Sequence, residues 1–312
     1  MKRVKVLVVD DSVVIRKVLS RELSKDPGIQ VVGTAPDPYV ARDLILKLKP
    51  DVLTLDVEMP KMDGITFLQK LMKHHPMPVI IVSSLTPAGG DLAVAALEAG
   101  AFDVIPKPGP GYSIASMAPT LVAKVKAASG KGAKNLRPRT TPSQLPPGTP
   151  SSADGVILRK SKTRRIIAIG ASTGGTGALI DLIGQLPLNC PPVVIVQHMP
   201  QNYTGSFAKR LNDRGRLVVK EAKGAEPLEE GTAFLAPGNA HLKIVRSGGI
   251  YKTILNHDDP VNRHRPSVDV LFRSLAVSAG QSGVGIILTG MGSDGAQGLL
   301  EMRRAGALTI GE

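Results

Sequence analysis

The sequence predicts an α/β protein of two doubly wound domains, each a mostly parallel sheet covered by helices, joined by a linker. Three observations predict it. Short β-branched runs alternate with amphipathic runs both before residue 125 and after residue 164. The stretch between, 126–163, is rich in Pro, Ser, Thr, Gly and basic residues and has no aromatic residue. The length, 312 residues, exceeds what one core ordinarily holds.

In the first domain, residues 1–125, "VKVLVVDD" reads as a strand and runs into the amphipathic "SVVIRKVLSRELSKD". "IQVVGTA" precedes "DPYVARDLILKLK", and "VLTLD" precedes "GITFLQKLMKHH". "PVIIVSS" precedes "DLAVAALEAG", and "FDVIPKP" precedes "SIASMAPTLVAKVKAAS". Strict alternation needs crossover connections, which make neighbouring strands parallel and put helices on both faces. Five such strands form a flavodoxin-like layer, whose ligands bind beyond the carboxyl ends of the strands.

The net charge of +13 would suit a polyanion-binding protein, but most of it is confined. Between Lys124 and Arg165, eleven Lys or Arg face one acid, Asp154. With nothing to stack on a base, the block reads as a solvated linker, with a polyanion contact as the alternative. The second domain shows no recognisable helix-turn-helix, so no nucleic-acid partner is expected. No apolar run approaches the roughly 20 residues that span a bilayer. The N-terminus has no export-signal pattern, and the single cysteine, Cys190, gives no intrachain disulfide framework. A cytoplasmic protein without membrane insertion is expected.

Chemistry-bearing residues gather at the strand ends of the first domain. Asp10 and Asp11 end the first strand, Asp56 the third, Ser83 and Ser84 the fourth, and Lys107 follows the fifth. Converging carboxylates repel unless a cation sits between them, and hard oxygen donors suit Mg²⁺. A carboxylate beside that cation can attack a phosphoryl group, while a hydroxyl and an ammonium stabilise the transferred oxygens. Capping of the first helix would explain one aspartate but not the whole set. "VLVVDDS", "TLDVEMPKMDG", "IIVSS" and "IPKP" resemble, in order and spacing, the receiver domain of two-component response regulators, over about Lys2 to Ser129. The resemblance implies Asp56 as phospho-acceptor and Asp10, Asp11, Asp56 and the backbone carbonyl of Glu58 as Mg²⁺ ligands. It implies Ser83 as switch hydroxyl and Lys107 as partner of the phosphoryl group. Val104 stands where many receivers carry a switch aromatic.

From Arg164 the alternation resumes: "RIIAIGAS", helix, "PVVIVQH", helix, "LVVKEA", "TAFLAPG". A hairpin follows, "LKIVRSGGIYKTILN", then helix "SVDVLFRSLAVSA", strand "GVGIILTG" and helix "DGAQGLLEMRRAG". This is an α/β layer with an antiparallel insertion at Gly248 and Gly249. Its first turn, "GASTGG", admits three readings. A Walker A loop needs a lysine, and none lies between Ile166 and Leu186. A dinucleotide fingerprint finds Gly175 and Gly177 but meets Ile180 at its third glycine, with no acid after the second strand. In the third, Gly170-Ala171-Ser172-Thr173-Gly174 fits G-x-S-x-G, a sharp strand-to-helix turn that presents the serine.

Such a serine needs a base and an orienting acid from other strand ends. His198 ends "PVVIVQH" and Asp294 follows "IILTG"; His241 and His264 are rivals that end no apolar strand. "AIGASTGG", "VIVQHMP", "FLAPGNAHL", "HRPSVDVLF" and "ILTGMGSDGAQGL" resemble the catalytic domain of the CheB family, chemotaxis protein-glutamate methylesterases that carry one receiver in front. The resemblance implies Ser172 as nucleophile, His198 as general base and acid, and Asp294 as its orienting group. It also implies an oxyanion-hole N–H from Met291, with Thr173 beside the nucleophile and no cofactor for the esterase. The implied activity is phosphorylation-activated hydrolysis of glutamate methyl esters on methyl-accepting chemoreceptors, with deamidation of receptor glutamines. A chemotaxis sensor histidine kinase would be the phosphodonor. A phosphorylation-controlled binding protein without catalysis is the alternative. Family members continue past "ALTIGE" through a further strand and helix, so the catalytic domain, 164–312, is expected to be C-terminally truncated.

Overall fold

The computed structural model describes residues 3–83, 87–107, 117–130 and 165–312. Ser84 and most of the basic segment, residues 131–164, lie outside the described residues. The first domain alternates β1 (Val4–Val9), α1 (Val13–Ser24), β2 (Ile29–Ala35), α2 (Pro38–Leu48), β3 (Val52–Asp56) and α3 (Gly64–His74). It closes with β4 (Val79–Ser83), α4 (Pro87–Glu98), β5 (Asp103–Pro106) and α5 (Ala118–Ala128). All five strands are parallel, in the order β2-β1-β3-β4-β5. The central strands β3 and β4 are buried throughout, as unbroken apolar runs between two helix layers must be.

Local chemistry fixes the helix starts. Ser12 caps α1 by accepting from the Ile15 N–H, so neither Asp10 nor Asp11 is used as that cap. Asp37 accepts from Tyr39 and Val40 with Pro38 at the first turn of α2, and Asp63 accepts from Thr66 at the start of α3. α4 begins at Pro87, four residues before the aspartate that opens it in the sequence pattern. α5 runs across residue 125 to Ala128, and Lys124 and Lys126 of the basic block pair with Asp103 and Asp26 of the same domain.

The second domain contains β6 (Ile166–Ala171), α6 (Gly175–Gln185), β7 (Val193–Gln197), α7 (Gln201–Arg214), β8 (Val218–Glu221) and β9 (Thr232–Leu235). The hairpin β10 (His241–Ser247) and β11 (Ile250–Asn256) follows, then α8 (Val268–Ala279), β12 (Gly283–Ile287), α9 (Ala296–Arg304) and β13 (Leu308–Gly311). Six strands form one sheet, β13-β12-β6-β7-β9-β8, with every neighbouring pair parallel. The antiparallel hairpin is a separate two-stranded sheet, turned at Gly248 and Gly249 with φ of 58° and 81°. β13, which the alternation pattern leaves unassigned, pairs with β12 at an edge.

β6 lies at the centre, and α8 presses directly on its end. A β-carbon on Gly170 would stand 2.2 Å from Cγ1 of Val268, so only glycine lets helix and strand approach this closely. Gly170→Ala is therefore expected to lower stability by about 1–3 kcal/mol, the usual cost of overpacking, measured as a fall in the midpoint of chemical denaturation.

The two domains pack through α4 and α7. Glu98 at the end of α4 accepts from Arg210 and lies 3.3 Å from Arg214, both on α7. Tyr203 and Met199 pack into the first domain's core, and Val94 packs into the second's. Burial pushes the Tyr203 hydroxyl up to about 12, consistent with a ring sealed between layers.

Candidate active site and acidic cluster

Both clusters of chemistry sit where parallel strands end. In the second domain, β6 ends at Ala171 and delivers Ser172. Gly174, with φ 78°, then turns the chain into α6. A side chain would resist that left-handed conformation, so the glycine makes the sharp turn possible. Beside it β7 ends at Gln197 and delivers His198. The next strand over, β12, leads through Thr289, Gly290 and Met291 to Asp294.

These three residues, distant in sequence, form one relay. His198 Nδ1 lies 3.0 Å from Ser172 Oγ, and His198 Nε2 lies 2.8 Å from Asp294 Oδ2. A carboxylate can only accept, so the imidazole proton sits on Nε2 and Nδ1 offers its lone pair to the serine hydroxyl. Of the competing histidines, His241 is buried in a structural role, its Nδ1 accepting from the Ser267 N–H and its Nε2 lying 3.1 Å from the Asp259 carbonyl.

Asp294 is held by more than the histidine. Its Oδ1 accepts from Ser267 Oγ at 2.6 Å and Asn262 Nδ2 at 2.9 Å, and its Oδ2 accepts from the Val268 N–H at 2.8 Å. Burial opposes its ionisation. Hydrogen bonds from His198, Ser267, Asn262 and the Val268 N–H outweigh that and hold the carboxyl well below the usual carboxylate range. Val268 opens α8, so Asp294 also caps that helix from outside. Asp269 of α8 returns the service, accepting from the N–H groups of Gly295 and Gly298 at the start of α9. The two helices that frame the acid thus cap each other.

The backbone around Ser172 is equally fixed. The Ser172 N–H donates to the Thr289 carbonyl, and the Ser172 carbonyl accepts from the Gly175 N–H and Gln197 Nε2. Ser172, His198 and Met291 line two adjoining cavities of about 370 and 540 Å³. The larger one is walled on one side by the second domain, including Thr173, His264 and Arg265. Its other wall is the first domain: Val104, Ile105, Pro119 and Lys124.

In the first domain, ligand atoms of Asp10, Asp11 and Asp56 lie within 4.8 Å of one another. Lys107 Nζ reaches Asp56 at 2.7 Å and Asp10 at 3.0 Å. Burial, with the charge of Asp10 adding to it, pushes the Asp56 carboxyl up to about 6 despite Lys107. Asp10 is raised for the same reason. Burial works against the charged form of Lys107, but Asp56 and Asp10 outweigh it and raise its value. One ammonium for three carboxylates leaves an unbalanced negative site of hard oxygens, the chemistry that fits a hydrated Mg²⁺. Ser83 is buried beside this cluster at the end of β4, its Oγ making no hydrogen bond among the described residues. The Glu58 N–H approaches Asp56 Oδ1 at 3.4 Å. Cys190 is buried, and burial raises its thiol.

A further triple, His198, His264 and Asp294, also brings ligand atoms within 4.8 Å. The two imidazoles are stacked in nearly parallel planes, 3.7 Å between centroids. Each lone pair lies in its own ring plane, so the pair cannot aim at one ion. Asn262, Ser267 and Asp269 are the residues sequence reasoning does not single out. Their signal lay in the same "NRHRPSVD" block as His264, but their partners are 25 to 32 positions away.

An acidic cluster at the strand ends of one sheet and a Ser-His-Asp relay at those of the other, in one chain, are the arrangement of a receiver coupled to a hydrolase. Known proteins agree in both halves. Residues 167–312 match the family model described as CheB methylesterase, and residues 6–117 match the response regulator receiver domain. The chain belongs to the CheB methylesterase family. A "Protein-glutamate methylesterase/protein-glutamine glutaminase 4" of Anaeromyxobacter dehalogenans is 54% identical, over 100% of this chain and 85% of that protein. The enzyme numbered 2 of Syntrophus aciditrophicus is 52% identical, over 100% and 89%. The catalytic domain of Thermotoga maritima CheB methylesterase, a crystal structure, is 39% identical over 47% of this chain and 78% of that one, with a TM-score of 0.46. Among the described residues, no helix is long and apolar enough to cross a membrane.

Proposed function

We propose that the protein is a phosphorylation-activated hydrolase that removes methyl groups from glutamate methyl esters on chemoreceptors and deamidates receptor glutamines, serving adaptation in chemotaxis. The observation that carries this reading is the unbroken relay from Ser172 Oγ through His198 to Asp294, opening on a cleft. Ser172 Oγ attacks the ester carbonyl carbon while its proton passes to His198 Nδ1. The tetrahedral oxyanion lies toward the backbone N–H of Met291, with Thr173 alongside. His198 gives the proton to the departing methoxide, and methanol leaves. Water, deprotonated by His198, then attacks the acyl-enzyme and releases the free glutamate carboxylate and Ser172. With a glutamine substrate the same steps release ammonia.

Asp56 is the phospho-acceptor in this reading, and a chemotaxis sensor histidine kinase is the donor. Asp10, Asp11 and Asp56, with the carbonyl of Glu58, would hold Mg²⁺, which neutralises charge on the incoming phosphoryl group. Lys107 pairs with the phosphoryl oxygens, and Ser83 offers its hydroxyl to them. The link between domains is steric. The first domain forms one wall of the cleft that holds Ser172, which supports a closed form opened when phosphorylation weakens the packing of the domains.

The test is methanol release from methylated receptor, with and without a phosphodonor. Stimulated release supports the reading; receptor binding without release would make the chain a non-catalytic binding protein. Reversing one interface charge gives a sharper check on masking. Glu98→Arg sets like charges against Arg210 and Arg214, and basal release is expected to rise several-fold, on the order of the tenfold that 1.4 kcal/mol commands. The phosphodonor-stimulated rate should stay near wild type. An unchanged basal rate would remove the α4–α7 contact from the mechanism.

A further inference from the structure

The histidine stacked on the base has no part in the relay. His264 lies with its ring centroid 3.7 Å from that of His198, at an interplanar angle of 6°. Among the described residues no hydrogen bond joins it to Ser172, and its Nδ1 is buried without a partner. Among the described residues neither ring nitrogen is hydrogen-bonded to His198 or Asp294 either, so its contact with the relay is through the face of the ring. We infer that His264 is a positioning residue for the reaction proposed above. It acts as a neutral aromatic plate that fixes the ring plane of His198 and stabilises the imidazolium formed as Ser172 loses its proton.

The backbone is built to hold such a plate. Val261 and His264 exchange N–H donors and carbonyl acceptors at 3.1 and 2.9 Å, closing a tight turn. The two residues inside it, Asn262 and Arg263, have φ of 53° and 66°, a left-handed conformation that costs non-glycine residues about 1 kcal/mol or more each. From that turn Asn262 donates to both Asp269 and Asp294. One short segment therefore holds the acid at the edge of the base and the plate on its face.

Charge agrees with the assignment. The groups acting on His264 are His198, Asp294 and, from α5, Lys124, with a hydrogen bond from the ring to the local backbone at Asn262. Burial first, then the neighbouring His198, lowers its affinity for a proton below that of an ordinary histidine. A neutral ring over an imidazolium is attractive, whereas a second cation at 3.7 Å would oppose the proton transfer.

The test compares full-length His264→Phe with His264→Leu. Phenylalanine keeps a flat π surface without nitrogens; leucine keeps apolar bulk without the surface. One readout is the second-order rate of Ser172 phosphonylation by a small fluorophosphonate. The Oγ–P bond forms, the P–F bond breaks, His198 takes the serine proton, and fluoride leaves. This readout is independent of any receptor. The second readout is kcat and KM for methanol release with a phosphodonor present. His264→Leu is expected to slow both phosphonylation and kcat roughly tenfold with KM within about twofold, and His264→Phe to stay within about threefold of wild type. Leu and Phe both close to wild type would reduce His264 to packing, and both slowed to the same extent would mean a ring nitrogen is required; either result overturns the plate. Thermal melting monitors folding, and His264→Met supplies the non-aromatic arm if the leucine variant melts early. Phosphonylation following the expected order without methanol release would overturn the substrate assignment and leave the plate standing.

Discussion

Ser172→Ala is expected to cut methanol release by on the order of 10⁶-fold, the loss that follows when the nucleophile of a serine relay is removed. Substrate binding and the oxyanion donor would persist, leaving a residual acceleration of about 10³–10⁴ over water. Stability should change little, and the reason is local. The backbone contacts of Ser172, to Thr289, Gly175 and Gln197, do not involve its hydroxyl and survive in alanine. Among the described residues the side-chain bond lost is that to His198 Nδ1, which borders the open cleft and can take a water instead. A change within about 0.5 kcal/mol is expected, so the loss of turnover cannot be blamed on unfolding. Methanol assays beside thermal melting and receptor binding separate the outcomes. Retained turnover in the alanine variant would move the nucleophile elsewhere.

How far the sequence foretells such a site depends on the range of the interaction. The alternation of runs such as "VLTLD" and "GITFLQKLMKHH" gives both layers, because β3 and β4 are buried on both faces and read as plain apolar strings. Strand ends then place Ser172, His198 and Asp294 at one edge, and Asp10, Asp56, Ser83 and Lys107 at the other, since parallel sheets gather their carboxyl ends together. What escapes is everything set by packing across elements. No local signal says that Asp294 caps α8 while Asp269 caps α9, or that His264 lies flat on His198. His264 enters the sequence reading as a rival base, judged by whether it ends a strand; the stacking could only come from the fold of the Val261–His264 turn. β13 escaped for another reason: four residues with half-exposed apolar side chains carry too little pattern to distinguish a strand from a tail.

Asp294→Asn should damage activity and stability together, and by separable amounts. The native carboxylate accepts on both oxygens: Ser267 Oγ and Asn262 Nδ2 on one, the Val268 N–H and His198 Nε2 on the other. An amide has one acceptor oxygen and one donor nitrogen, so either orientation sets its NH₂ against donors. If the NH₂ faces His198, the imidazole escapes the clash by moving its proton to Nδ1, the atom that must receive the proton of Ser172. The wrong tautomer lowers kcat by about 10⁴-fold in a comparable relay, and a loss of that order is expected here with KM little changed. The α8 N-terminus also loses charge-assisted capping and keeps a buried donor unmet, costing about 1–3 kcal/mol at neutral pH. The pH dependence distinguishes this cost from a general packing defect. The folded carboxyl is depressed below the ordinary 3.8, so its contribution is present above that value and is lost as pH falls through the folded one. Urea midpoints of the two proteins should therefore differ at pH 7 and converge as the pH is lowered below about 3.8. A gap that stayed constant down through that range would assign the loss to shape rather than to the charge on Asp294.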